Sequence, residues 1–236
     1  MTTILIKESF NLKDSQCTLI SESPKAIEAA KTSIRRNRFE LELYIRANPK
    51  YLYTLTPIPV PEKPLVAKIM AEAAKKADVG PMAAVAGAIA DLAIMDMKQT
   101  GCRVAVVENG GEIMADSDRP IDVAVIAGEE ALSRRFGFRL TEFPIAVATS
   151  SGRFSHALSF GDAEAATVFA NSATLADAAA TAVGNVVKGE DAKASIQAGI
   201  EQGLSIEKIQ GVMIIYKGQV GTGGKIPQII KIAQSH

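Results

Sequence analysis

The sequence predicts an α+β fold, in which a mixed, largely antiparallel sheet is packed by alanine-rich helices. Helical and strand-like stretches are both present, but they seldom alternate as strand, helix, strand. Several strand-like stretches instead follow one another directly between residues 102 and 170. The chain has 236 residues, of which 47% are apolar, so it is long enough to bury a sizeable core.

The first predicted elements are two short strands and a long helix. Apolar stretches on either side of the polar turn N-L-K-D-S indicate the strands. Ser23 is a good N-cap, and Pro24 suits the first helical position because its missing N–H would have no partner there. The helix is expected to end before Pro49, since the residue preceding a proline avoids helical angles. The predicted ranges are 2–7 and 16–21 for the strands and 23–46 for the helix.

Residues 51–64 contain four prolines and are predicted to form an extended connector rather than a helix. Large apolar side chains favour a segment packed along the surface over a free linker, and they are Tyr51, Tyr53, Leu55 and Ile58. Helices are predicted at 65–77 and 81–99, on either side of a Gly-Pro break. The second helix carries small residues at most positions, which lets a helix lie close to a sheet or to a ligand.

Beyond Gly101, which is predicted to cap the preceding helix, strands dominate and two helices interrupt them. The G-T-G-G-K segment at 221–225 lacks the Walker pattern, so we interpret it as a hairpin loop, with phosphate binding as the less favoured alternative. The predicted strands are 102–108, 112–116, 121–127, 138–149, 155–160, 165–170, 210–217 and 226–233, and the helices are 171–187 and 191–202.

Charge and cysteine usage argue against several classes of protein. The formal net charge is zero, and the one basic cluster, at 35–38, lies in a predicted helix, so we expect no nucleic-acid partner. No apolar stretch reaches membrane-spanning length, and we expect neither a membrane partner nor a signal peptide. Cys17 and Cys102 lack metal or redox spacing, which predicts reduced, buried thiols in a cytoplasmic protein. We expect the chain to form a single domain over residues 1–236.

Two glycine-containing turns follow predicted strands and are candidate ligand contacts. The first, at 109–112, combines an Asn-Gly hairpin signal with carboxylates on both sides. It is either a tight hairpin turn or a place where the backbone approaches a ligand. The second, A-T-S-S-G at 148–152, offers hydroxyl and backbone N–H groups that suit an anion, although a polar turn without a ligand has the same composition.

Two further positions carry candidate chemistry. His156, one of two histidines, lies four residues after the second turn and is either structural or functional. Asp177 and Thr181 are four residues apart in an alanine-rich helix, so they share one face. A carboxylate and a hydroxyl form an oxygen set that suits Mg²⁺. The alternative is that Asp177 caps a helix or forms a salt bridge.

Taken in chain order, these stretches resemble the ApbE-like flavin-transferase superfamily. The matches are G-A-I-A-D at 87–91, E-N-G-G-E-I at 108–113, A-T-S-S-G at 148–152, His156, and A-D-A-A-A-T-A at 176–182. They define a matched core at 80–188, while residues 1–64 form a less well matched N-terminal part. The resemblance is to a smaller branch of the superfamily rather than to its typical enzyme. It implies an ApbE-like, T-fold-related architecture.

The resemblance also implies a site, cofactors and a reaction. Typical members use Mg²⁺ and FAD to attach FMN to a threonine of a target protein. By this resemblance, Asp177 and Thr181 are metal ligands and His156 is catalytic. The two turns would line the flavin nucleotide, and their cofactor-binding residues are Asn109, Gly110, Gly111, Glu112, Thr149, Ser150 and Gly152.

Two departures from the family pattern keep other functions open. Ala86 stands where the family usually has a lysine, and the H-I-x-D-P-x-T-G segment is absent after the second turn. The first hypothesis is an enzyme that takes a small-molecule nucleotide ligand and a protein acceptor. The alternative is a catalytically inactive scaffold that binds another small anionic ligand. A third hypothesis is an interaction protein that forms a homo-oligomer through its first helix or its connector.

Overall fold

The described strands form two antiparallel sheets, which confirms the predicted fold class. The computed structural model describes residues 4–13, 15–124, 136–150 and 161–231. Its strands are β1 Ile6–Leu12, β2 Ser15–Ser21, β3 Ala105–Asn109, β4 Glu112–Asp116, β5 Ile121–Ala124, β6 Phe136–Leu140, β7 Ile145–Ser150, β8 Ala165–Ala170, β9 Ile209–Tyr216, β10 Gln219–Gly224 and β11 Gln228–Lys231. The larger sheet has the order β1-β2-β3-β4-β7-β8-β9-β10, and the smaller one has the order β11-β6-β5.

The larger sheet separates two apolar cores, because alternate residues of a strand point to opposite faces. In β3, Ala105 and Val107 join the core beneath the helices. Val106, between them, joins a second core together with Phe138 of the smaller sheet. The fold therefore has three layers: helices, the larger sheet and the smaller sheet.

The helices lie on one face of the larger sheet and begin where the sequence signals predict. Ser23 caps the first helix by accepting a hydrogen bond from the Ala26 N–H at 3.3 Å, and Pro24 occupies the first helical position. The described α-helices are α1 Pro24–Ala47, α2 Lys50–Tyr53, α3 Leu65–Ala77, α4 Val85–Gln99, α5 Ala173–Val186 and α6 Ala192–Ser205, and a 3₁₀ turn at Pro81–Ala84 leads into α4.

One predicted strand, at 138–149, is wrong as a single element. The chain forms β6, then leaves the smaller sheet at residues 141–144 and enters the larger sheet as β7. Pro144 lies in this crossing, where its missing N–H interrupts no strand pairing. Predicted strands that fall on 125–127 and 155–160 lie outside the described residues.

The glycine-rich segment at 221–225 is also not the predicted hairpin loop. Residues up to Gly224 belong to β10, which pairs with β9, and the turn between these strands is at Lys217-Gly218. A Cβ at Gly221 would lie 2.2 Å from Ile196, and one at Gly223 would lie 2.3 Å from Ile200. These glycines therefore let α6 pack closely on the edge strand.

The connector at 51–64 is only partly as predicted. Tyr51 lies in the short helix α2, is fully buried, and donates a hydrogen bond to the Ala67 carbonyl at 2.7 Å. Ile58 packs on the core, as expected. Tyr53, the last residue of α2, and Leu55 are, however, 76% and 53% exposed. Only part of the apolar surface in this segment is therefore buried.

Both cysteines are free and buried, which confirms that prediction. Burial, with a smaller contribution from the charge of Glu108, raises the pKa of the Cys17 thiol to about 11. No single helix among the residues described in the structure is long and apolar enough to cross a membrane. One pair, Leu65–Ala77 with Pro81–Gln99, meets the criteria of length and composition together, but it is bent by 104°.

Candidate functional site

The N-terminal ends of α4 and α5 meet the β3–β4 hairpin, and this junction contains most of the described candidate residues. The hairpin is a two-residue turn in which Gly110 and Gly111 have φ of 67° and 113°. Positive φ at both central positions strongly favours glycine. The first candidate turn is therefore a hairpin, centred one residue later than its Asn-Gly signal suggests.

The backbone N–H groups of the hairpin turn already donate hydrogen bonds within the protein. The turn therefore provides room for a ligand but no free N–H donors from its two glycines. The Gly110 N–H donates to the Gln16 carbonyl at 3.1 Å, and the Gly111 N–H donates to Glu108 at 2.9 Å. A Cβ at Gly111 would meet nothing within 4 Å. An incoming group can therefore approach this backbone closely, as the ligand hypothesis requires.

Asn109, at the end of β3, has a side chain that is bonded at both ends inside the protein. Its Nδ2 donates to the Ala86 carbonyl at 3.1 Å, and its Oδ1 accepts from the Cys17 thiol at 3.4 Å. The residue is buried. Its amide thus ties the hairpin to the start of α4 instead of facing solvent.

Asp177 lies one turn into α5 and faces the start of α4. Its Oδ2 accepts a hydrogen bond from the Gly87 N–H at 2.9 Å. The two helices are in backbone contact here, because a Cβ at Gly87 would lie 2.1 Å from the Ala173 carbonyl oxygen. The absence of a side chain at Gly87 therefore brings the Asp177 carboxylate to the first turn of α4.

Asp91 makes the reciprocal connection from α4 to α5. Its two oxygens accept hydrogen bonds from the Ser172 hydroxyl, the Ala173 and Thr174 N–H groups and the Thr174 hydroxyl, at 2.6 to 2.9 Å. A carboxylate at a helix N-terminus satisfies unpaired N–H groups and complements the helix dipole. Each helix start is thus held by a carboxylate of the other helix.

Glu112 adds a second carboxylate to the junction, and the charge of Asp177 acts on it. Glu112 pairs with Asn109 in the hairpin, so both side chains lie on the helix-facing side of the sheet. Burial, and then repulsion by Asp177, raise the pKa of Glu112 well above its ordinary value, and Glu108 adds to this effect. Burial also raises the pKa of Asp177 to about 7, although the Gly87 N–H opposes the shift. Glu112 and Asp177 are therefore an acidic pair, and within the described residues the neighbouring charges that act on them are also acidic.

The remaining candidates are one residue of α5, two residues at the end of β7, and two residues outside the described ranges. Thr181 is buried one turn beyond Asp177 on the same side of α5. The hydroxyl of Ser150, at the end of β7, is buried and has no hydrogen-bond partner among the residues described. Thr149, its neighbour in the strand, instead pairs with the Thr167 hydroxyl at 3.0 Å. Gly152 and His156 lie outside the described residues.

The sequence alone does not reveal the roles of Gly87 and Asp91. Asp91 did carry a signal, because a carboxylate in an otherwise apolar helix needs a partner when it is buried. The signal at Gly87 was the small-residue composition of α4. In the part of the chain that the structure describes, no group of three His, Cys, Asp or Glu side chains is arranged to hold a metal ion.

The pH dependence of stability tests the acidic pair. The folded-state pKa of Asp177 is about 7 and its ordinary value is 3.8, so the folded state retains the proton longer and its stability falls as pH rises between these values. One unit of pKa shift corresponds to about 1.4 kcal/mol, so the free energy of unfolding should fall by at most about 4 kcal/mol over this range. Urea unfolding at pH 5, 6, 7 and 8 in the presence of EDTA measures this fall. As the pH rises, the free energy of unfolding should decrease less for Asp177→Asn than for the wild type. Parallel curves for the two proteins would contradict the assignment.

The chain is similar to known proteins along most of its length. A family model described as AbpE bacteria matches residues 3–221. The UPF0280 protein of Methanococcus vannielii is 40% identical over 232 residues, which cover 96% of this chain and 94% of that protein. This identity, over nearly the full length of both chains, is sufficient to show a common family.

Two solved structures have the same fold. The apo form of the flavinyl transferase ApbE from Pseudomonas stutzeri has a TM-score of 0.60 at 14% identity, covering 94% of each chain. The ApbE protein from Thermotoga maritima has a TM-score of 0.58 at 13% identity, covering 94% of this chain and 97% of that one. At these identities the likeness shows the fold alone. The chain belongs to the AbpE bacteria family and to the UPF0280 proteins, and its fold is that of ApbE.

Proposed function

We propose that this protein binds a flavin nucleotide together with Mg²⁺ at the junction of α4, α5 and the β3–β4 hairpin, and that it transfers FMN from FAD to an acceptor. The observation that carries the proposal is the pair of Glu112 and Asp177. Both carboxylates belong to the same junction, and the charge of Asp177 contributes to the raised pKa of Glu112. A divalent cation would offset this repulsion.

The donor set fits Mg²⁺. This ion prefers oxygen ligands and usually keeps water or phosphate oxygens beside one or two carboxylates. Asp177 accepts backbone hydrogen bonds from the first turn of α4, including one from the Gly87 N–H at 2.9 Å, and a carboxylate has further lone pairs for a cation. Thr181 would supply a hydroxyl from the next turn, and Glu112 a carboxylate from the hairpin. When bound, Mg²⁺ would neutralise charge on a pyrophosphate during phosphoryl transfer.

The nucleotide would lie between the hairpin and the end of β7. Gly110 and Gly111 are exposed and lack side chains, which leaves room for a phosphate chain held by the cation. The unpartnered Ser150 hydroxyl is a donor for the same ligand. An isolated buried hydroxyl is unfavourable, and a ligand oxygen would remove that cost. Thr149 and Gly152 complete the candidate second turn by their place in the sequence.

The proposed reaction transfers the FMN group of FAD from its pyrophosphate to an acceptor hydroxyl. An acceptor hydroxyl oxygen attacks the FMN phosphorus of FAD, and a new phosphoester bond forms. The pyrophosphate P–O bond breaks, and AMP leaves with the bridging oxygen. The hydroxyl proton passes to a base, for which His156 is the candidate. Asp177 and Glu112 would orient the cation on the pyrophosphate, and the protein acceptor would supply the hydroxyl.

A flavin titration tests the proposal. Purified protein should bind FAD, seen as a change in flavin fluorescence. Mg²⁺ should tighten this binding at least about tenfold, since the cation would offset the negative charge of the carboxylates and the pyrophosphate. Asp177→Asn should abolish this Mg²⁺ effect. Glu207→Gln, which removes an exposed carboxylate, is the control and should behave as the wild type. FAD binding that ignores both Mg²⁺ and Asp177 would exclude the proposed site.

The same preparation separates transfer from binding alone. Release of AMP from FAD, with FMN retained on a threonine-containing acceptor, identifies a transferase. Tight binding without AMP release identifies the inactive scaffold, which the Ala86 departure favours. We further propose a cytoplasmic location for a one-domain chain, on the grounds of its two buried free thiols.

A further inference from the structure

We infer that Asn109 is a positioning residue that helps to hold the Asp177 carboxylate through the Ala86–Gly87 peptide group of α4, and is not itself a ligand of the nucleotide. The two hydrogen bonds involved meet at one amide. Asn109 donates to the carbonyl of Ala86, and the N–H of Gly87 donates to Asp177. The Ala86 carbonyl and the Gly87 N–H belong to the same peptide bond.

That shared peptide gives Asn109 a direct effect on Asp177. The C=O and N–H of a trans peptide point in opposite directions within one plane. Asn109 therefore fixes one edge of the plane, and the other edge faces Asp177. A hydrogen bond to the carbonyl also polarises the amide, which strengthens its N–H as a donor. The link requires the amide of Asn109, whereas a side chain of the same size without a donor would only fill space.

The Cys17 thiol extends the series by one bond. It donates to Oδ1 of Asn109 at 3.4 Å, which sets the amide with its Nδ2 toward Ala86. The series then runs from β2 through β3 and α4 to α5. Asn109 is also the register partner of Glu112 across the hairpin, so the series passes beside the other member of the acidic pair. The cation-binding consequence rests on the proposed function, whereas the hydrogen-bond link does not.

The first test measures the link itself. Hydrogen exchange of the Gly87 amide, followed by NMR, should be about five- to tenfold faster in Asn109→Ala than in the wild type, relative to global stability. Asn109→Leu keeps the volume of the side chain and should not restore protection. Ser33→Ala is the matched control, because the Ser33 hydroxyl donates to the Leu92 carbonyl farther along α4 at 3.2 Å. Ser33→Ala should lower global stability while leaving the Gly87 amide protected.

The second test measures the consequence for the site. Mn²⁺ affinity, from the EPR signal of the free ion, should weaken about tenfold in Asn109→Ala, a typical effect of a residue that orients a metal ligand. It should stay unchanged in Ser33→Ala. If wild-type protein binds no Mn²⁺, the proposed function fails, and the exchange of the Gly87 amide still decides the role of Asn109. Unchanged Gly87 protection in Asn109→Ala, or full protection in Asn109→Leu, would overturn the inference.

Discussion

Gly87→Ala is expected to destabilise the folded protein by about 3 kcal/mol or more, because it places a methyl group against backbone. The added Cβ would lie 2.1 Å from the Ala173 carbonyl oxygen and 2.4 Å from its carbon. A side chain could rotate away, but the start of α5 cannot move without disturbing its hydrogen bonds to Asp91. The gain in helix propensity from glycine to alanine, about 1 kcal/mol, is too small to offset this clash.

Urea unfolding measures this loss, and Gly199→Ala is the matched control. Gly199 also lies within a helix, but its Cβ would meet the ends of the Ile214 and Val187 side chains at 2.5 and 2.6 Å. Side-chain ends can shift by rotation, so this variant should lose less than half as much stability as Gly87→Ala. If both variants lost the same amount, the helix contact at Gly87 would not be a backbone contact that excludes a side chain.

The sequence predicted local elements better than their long-range pairing. The cap at Ser23 and the small-residue composition of α4 are local signals, and both have the expected structural result. The strand predicted at 138–149 is wrong because both halves favour extended backbone. Only their partners, β5 and β11 for one half and β4 and β8 for the other, separate them into two sheets.

In the candidate site, too, local patterns were easier to predict than contacts between distant residues. The resemblance assigned the hairpin at 109–112 and Asp177 to one proposed site, and in the structure the charge of Asp177 contributes to the raised pKa of Glu112. The internal role of the Asn109 side chain was beyond prediction. Its partners lie 23 residues away at Ala86 and 92 residues away at Cys17, and no local pattern relates such positions. An Asn-Gly pair indicates a turn and does not show where the asparagine amide points.

Asp91→Ala is expected to cost about 3–4 kcal/mol, because it leaves the start of α5 without its partners. Four donors lose an acceptor at once, and two of them are backbone N–H groups at a helix terminus. The variant should also weaken divalent-cation binding at the proposed site, since α5 carries Asp177 and is no longer fixed against α4. Asp91→Asn should be intermediate, because one side-chain oxygen remains while the new NH₂ group faces other donors.

The contrast with Asp191→Ala decides whether the effect of Asp91 is more than ordinary capping. Asp191 is the N-cap of α6, is exposed, and accepts one hydrogen bond from the Ala194 N–H at 3.0 Å. Its loss should cost about 1 kcal/mol, as for a typical N-cap, and should leave cation binding unchanged. Urea unfolding and a Mn²⁺ titration of both variants provide the comparison. Hydrogen bonds that join two helices should stabilise the packing of the helices as well as one helix end. Equal losses of stability in the two variants would therefore show that Asp91 acts only as a helix cap.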